Sequence, residues 1–95
     1  MEIQFTTQVL KEGTTFVAHT PELDISSCGD TEKAALQNLK EAVRLFLEEA
    51  DKMGTLNQIL EEAGFFKHDD KLEGPEFIST QRISLPLPLL HVKEA

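Results

Sequence analysis

Between Ala35 and Ala50 the apolar residues Ala35, Leu36, Leu39, Ala42, Val43, Phe46, Leu47 and Ala50 return at three- and four-residue steps. On a helix of 3.6 residues per turn they form one stripe, broad enough to lie against a sheet. The residues just before the stripe fix how the helix is delivered. Asp24 to Cys28 reads as a short polar strand, Gly29 permits a backbone angle that other residues resist, and Asp30-Thr31 offers two side chains able to cap a first turn. Asp30 is the expected cap, because its carboxylate can accept the unpaired first-turn amides; Thr31 is the alternative. A strand that runs straight into a sheet-covering helix therefore constrains the fold more than any other feature.

The wording of this junction resembles the HicB family of antitoxins. In that family an extended segment of the form Pro-x-Leu leads to Gly-Asp-Thr and then to a helix reading Ala-x-x-Asn-x-Lys-Glu-Ala. The matching residues are Pro21, Leu23, Gly29, Asp30, Thr31, Ala35, Asn38, Lys40, Glu41 and Ala42. The resemblance runs from the first strand to Gly64-Phe65. It implies a degenerate RNase H-like fold and, as partner, a small basic HicA-like toxin that cleaves RNA. Many members of the family append a helix-turn-helix or ribbon-helix-helix module. This chain reaches Pro86-Leu87-Pro88 about where such a module would begin, so no DNA-binding domain and no autorepression by this chain are expected.

The chain has 95 residues, which makes one domain with a small core. The reading is a HicB-like domain over residues 1–85 and an extended tail over 86–95. No apolar run is long enough to cross a membrane, and Met1-Glu2-Ile3-Gln4 resembles no leader. A lone cysteine, Cys28, forms no internal disulfide, so a cytoplasmic setting is expected. Net charge is −8, which repels phosphate and disfavours direct nucleic-acid binding. The same charge attracts a basic protein and speeds its encounter.

The coarse order predicted is strand, strand, strand, helix, helix, strand, an α+β fold of two layers. Ile3, Phe5, Thr7 and Val9 alternate with polar residues, so Ile3 to Leu10 reads as a first strand. Gly13 turns it into a return strand, Thr15 to Thr20, and Asp24 to Cys28 completes an antiparallel three-stranded meander. The long helix spans about Asp30 to Lys52. Thr55-Leu56-Asn57-Gln58 has the form of a capping box, opening a short helix that ends at Gly64. Lys67 to Gly74 reads as a charged loop, and Phe77 to Leu85 alternates as a late edge strand beside the first. The expected core is Phe5, Phe16, Leu36, Leu39, Val43, Phe46 and Leu47, with a loss of about 3–5 kcal/mol for Phe46→Ala.

Catalytic signals are thin, and no enzyme activity is expected. An RNase H-type nuclease holds divalent metal on several carboxylates, starting with an Asp on the first strand. Ile3 to Leu10 contains neither Asp nor Glu. His19, His68 and His91 have no zinc-like spacing, and there is no glycine-rich phosphate loop or nucleophile elbow. No cofactor and no metal site are expected. The partner-binding candidates are the exposed turn acids Glu22 and Asp24 and the loop pair Asp69 and Asp70. The candidates for a homo-oligomer interface are Ile83, Leu85, Leu87, Leu89 and Leu90, a run that so small a domain has little core to receive. Pro86 and Pro88 lack backbone donors, which suits an extended tail lying over a neighbour.

Overall fold

The computed structural model describes residues 1–88, and the architecture is α+β in two layers. Three strands, β2 (Gln8–Glu12), β3 (Thr15–Thr20) and β4 (Ile25–Gly29), pair as the expected antiparallel meander in the order β2-β3-β4. Glu12 pairs with Thr15, which leaves the two-residue loop Gly13-Thr14. Gly13 has φ +62° at the first central position, where a type II′ hairpin turn needs a positive angle. Thr20 pairs with Ile25 across the turn Pro21–Asp24, and Asp24 closes that turn at φ 52°, a region Asp tolerates better than most residues.

Helix α1 (Glu32–Met53) follows β4 after two residues and packs chiefly on β4 and β3. Its cap corrects one expectation. Thr31, not Asp30, is the N-cap: its hydroxyl oxygen accepts the Ala34 amide at 3.0 Å from an extended backbone, while Asp30 lies exposed one residue earlier. A cap must reach the amide two or three residues ahead, and the helix starts one residue later than Asp30 requires. Thr31→Ala should therefore lower stability by about 1 kcal/mol and Asp30→Ala by only a few tenths, measured by urea unfolding. The reverse order of effects would return the cap to Asp30.

The core is the layer between α1 and the meander. Ala18, Ala35, Leu39 and Val43 are buried together, with Phe5, Val9, Phe16, Leu23, Ile25, Leu36 and Leu47 packed around them. Six of the seven expected core residues are among these. Phe46 is not: it is 39% exposed. The helical stripe is correct in phase, since Phe46 points within about 20° of Leu39 at 100° per residue. The helix outruns its support. Twenty-two residues of α1 span about 33 Å, whereas a six-residue strand spans about 20 Å. Phe46 and Met53 lie on the inner stripe in the C-terminal half of the helix and are exposed, whereas Ala50 between them is buried and α2 (Leu56–Glu62) packs on α1. Thr55 is the N-cap residue of α2 but forms no capping box. Its hydroxyl donates to the Ala50 carbonyl, and Gln58 donates to Glu62.

The second sheet differs most from the expected layout. The first strand is broken: β1 (Glu2–Gln4) is separated from β2 by Phe5–Thr7 and pairs elsewhere. Residues expected to be a loop form a hairpin, β5 (Phe66–His68) and β6 (Lys71–Glu73), around Asp69-Asp70, with Asp69 at φ 56°. β6 pairs in parallel with β1, Ile3 opposite Leu72, giving the order β1-β6-β5. A late strand does lie beside the first, then, but it is Lys71–Glu73. Residues 77–88 form neither helix nor strand. The Asp69-Asp70 hairpin delivers β6 to β1 first, and Pro86 and Pro88 take backbone donors out of the later segment.

Candidate protein-binding surface

Gly29 and Thr31 of the Gly-Asp-Thr motif serve the junction itself, while Asp30 between them lies exposed. A Cβ on Gly29 would stand 2.7 Å from the Ala35 amide nitrogen and 2.9 Å from the Ala34 carbonyl carbon, so only glycine lets β4 pass this close to α1. Thr31 caps the helix. Asn38 reaches back and donates its side-chain amide to the Cys28 carbonyl at 2.8 Å, tying the second turn of α1 to the end of β4. Ala35 is fully buried under the crossing. Gly29, Thr31, Ala35 and Asn38 of the motif thus build the junction between β4 and α1.

The four acidic candidates fall into different environments. Glu22 is not a free surface charge. One carboxylate oxygen accepts the Thr6 amide at 2.8 Å, and the other accepts the hydroxyl of fully buried Thr20 at 3.1 Å. By continuation of the β2–β3 register Thr6 faces Pro21, so the Glu22 side chain takes a ladder amide where the first strand breaks. Glu22→Ala should leave Thr6 N–H and the Thr20 hydroxyl unpaired and cost about 1–3 kcal/mol in a thermal or urea melt. An unchanged melt would return Glu22 to the set of free carboxylates.

Asp24 is 94% exposed and lies 3.0 Å from His19 Nε2 across the same turn. Asp69 and Asp70 form the tip of the β5–β6 hairpin, and the Asp70 carbonyl accepts the Glu2 amide. His68 lies 3.9 Å from Asp69 and 3.6 Å from Glu73. Residues outside the expected set join Glu22: a cleft of about 680 Å³ at the seam of the two sheets is lined by Glu22, Glu73 and Glu76 with Phe5, Phe66 and Pro75. Gly74 admits the Glu22 stem there, since a Cβ would meet its Cγ at 3.1 Å. The Asp69-Asp70 tip lies at the other end of β6, about 10 Å along the strand. Sequence alternation could not find this cleft, because it depends on the parallel pairing of two segments nearly seventy residues apart.

Neutralisation of these charges is sparse. Among the described residues Arg44 is the only Lys or Arg within salt-bridge distance of a carboxylate, and it bridges Glu41 and Glu48, the latter at 2.6 Å. The Arg44 hydrogen bond holds the Glu41 carboxyl below its ordinary range and raises the guanidinium in turn. Both side chains are about half exposed on the surface, so this pairing organises a helix face and adds little stability. The other described carboxylates project their field without a paired cation. Among the described residues no three of His, Cys, Asp and Glu are grouped to hold a metal ion, and no helix is long and apolar enough to cross a membrane.

Of the residues expected at an oligomer interface, Ile83, Leu85 and Leu87 are 79%, 82% and 63% exposed. Leu89 and Leu90 lie outside the described residues. Compared with family models, with curated proteins and with solved structures, the chain matches none.

Proposed function

We propose that the chain is a HicB-like antitoxin that binds a small basic RNA-cleaving toxin of the HicA type and blocks it by occlusion. The resemblance around Gly29-Asp30-Thr31 suggests the partner. The observation that supports a mechanism is the uncompensated acidity of the surface: a net charge of −8, with only Arg44 paired among the described cations. A protein that grips RNA must present positive charge to phosphates, and an acidic partner competes for that same surface. Among the acids, Asp24, Asp69 and Asp70 stand free of the core, whereas Glu22 is committed to holding the broken strand. Occlusion then falls to Asp24 and to the β5–β6 hairpin with Glu73 and Glu76.

Binding of this kind weakens as salt rises, and reversing its charges slows association more than dissociation. Co-expression of the chain with a small basic RNA-cleaving toxin of the HicA type should restore growth, and the two should co-purify at low salt. The double variant Asp69→Lys, Asp70→Lys should lower the association rate by roughly tenfold, with dissociation changed less. Continued toxicity with no recovered complex would leave a second reading, a stand-alone oligomeric domain of the same fold. The exposed apolar residues of 77–88 favour that reading specifically.

A further inference from the structure

Among the described residues two apolar surfaces lack a cover, and they complement each other. One is the segment Ile83–Leu87, where Ile83, Leu85 and Leu87 alternate with Ser84 and Pro86 and stand exposed in water. The other is the overhang of α1, its C-terminal turns, where Leu45, Phe46 and Met53 are exposed. At 100° per residue Leu45, Glu49, Met53 and Phe46 follow one another across a flank of the helix about 100° wide.

We propose that the Ile83–Leu87 segment of one copy packs on the α1 overhang of a second copy, each copy donating and receiving in a two-fold dimer. Reciprocity is the first argument. Donor and acceptor lie on the same chain, so a closed pair buries both surfaces twice and leaves neither exposed. Charge is the second. Between residues 77 and 88 the only charged side chain is Arg82, on a protein of net charge −8. From Glu41 to Met53 the helix carries Glu41, Glu48, Glu49 and Asp51 against Arg44 and Lys52. Arg82 therefore favours the overhang of an acidic copy and disfavours a basic partner, which the carboxylates attract instead. Pro86 supports a segment laid across a helix, since it cannot donate to a continuing ladder on that residue.

The test uses the full purified chain with no toxin present, so its outcome is independent of the antitoxin reading. Sedimentation equilibrium should show a dimer, and Leu85→Asp with Leu87→Asp should weaken it by roughly a hundredfold or more, because a two-fold interface loses each side chain twice. The substituted residues are exposed within one copy, so circular dichroism should show the fold retained. In a Cys28→Ser background, Glu49→Cys and Ser84→Cys placed on separate chains and mixed should close a disulfide between copies under mild oxidation. A chain that sediments as a monomer at every concentration overturns the proposal, as does a dimer indifferent to the double substitution. So does a variant carrying both cysteines that closes its disulfide only within one chain.

Discussion

Leu39→Ala should lower the unfolding free energy by about 3–5 kcal/mol, whereas Phe46→Ala should cost about 1 kcal/mol or less. Both residues lie on the inner stripe of α1 and would be equivalent on a helical wheel. Leu39 is fully buried among Ala18, Ala35 and Val43, so truncation leaves a cavity whose walls belong to both layers. Phe46 lies at the fringe of that layer and already meets water. Against a total stability of about 5–15 kcal/mol for a domain of this kind, the first loss approaches unfolding and the second does not. Urea denaturation of the two variants separates the cases by their midpoints at constant slope. Equal midpoints would mean that the overhang is covered in solution. The dimer proposed above provides one such cover, so the pair is best measured at concentrations that favour the monomer.

Gly29→Ala should be nearly as damaging, at about 3 kcal/mol. A single methyl group is added, but it would sit 2.7 Å from a backbone nitrogen in the first turn of α1. A flexible side chain could move aside; the Ala34–Ala35 backbone is fixed by Thr31 below it and Asn38 above it. Relief would require α1 to lift from β4, its largest packing partner. Gly13→Ala offers the contrast. No atom would meet the added carbon, so its cost is limited to holding a non-glycine residue at φ +62°, about 1 kcal/mol. Calorimetry of the two alanine variants should place Gly29→Ala well below Gly13→Ala in melting temperature. The opposite order would mean that the junction yields more easily than its contacts imply.

The parts of the fold legible beforehand are those set by neighbours close in sequence. The meander from Gln8 to Gly29 is local pairing through a two-residue and a four-residue turn, and α1 follows from the period of its apolar residues. Residue type alone also exposed the acidity and the strand-to-helix turn at Gly29. The Thr31 cap and the helix start differed by one residue from expectation, because two adjacent side chains could each accept the same amides and only backbone position chooses between them. The candidate surface was less legible. Asp24, Asp69 and Asp70 could be read as turn acids from sequence, but Glu22 reads the same way and turns out to replace a missing strand partner for Thr6.

What the sequence determined by itself, then, is the phase of each element: which side of α1 is apolar, and which residues of β2 and β3 face the helix. Phase follows from a fixed period, and a period needs no knowledge of what lies opposite. Tertiary structure decided partners and limits. Both Lys71–Glu73 and Phe77–Leu85 could be extended, and β1 pairs with the first, delivered to it by a two-residue hairpin. The stripe of α1 continues to Met53, but burial fades beyond the sheet, since the sheet is shorter than the helix. Apolar character says that a residue can be buried; only the dimensions of the packed layers settle whether anything is there to bury it.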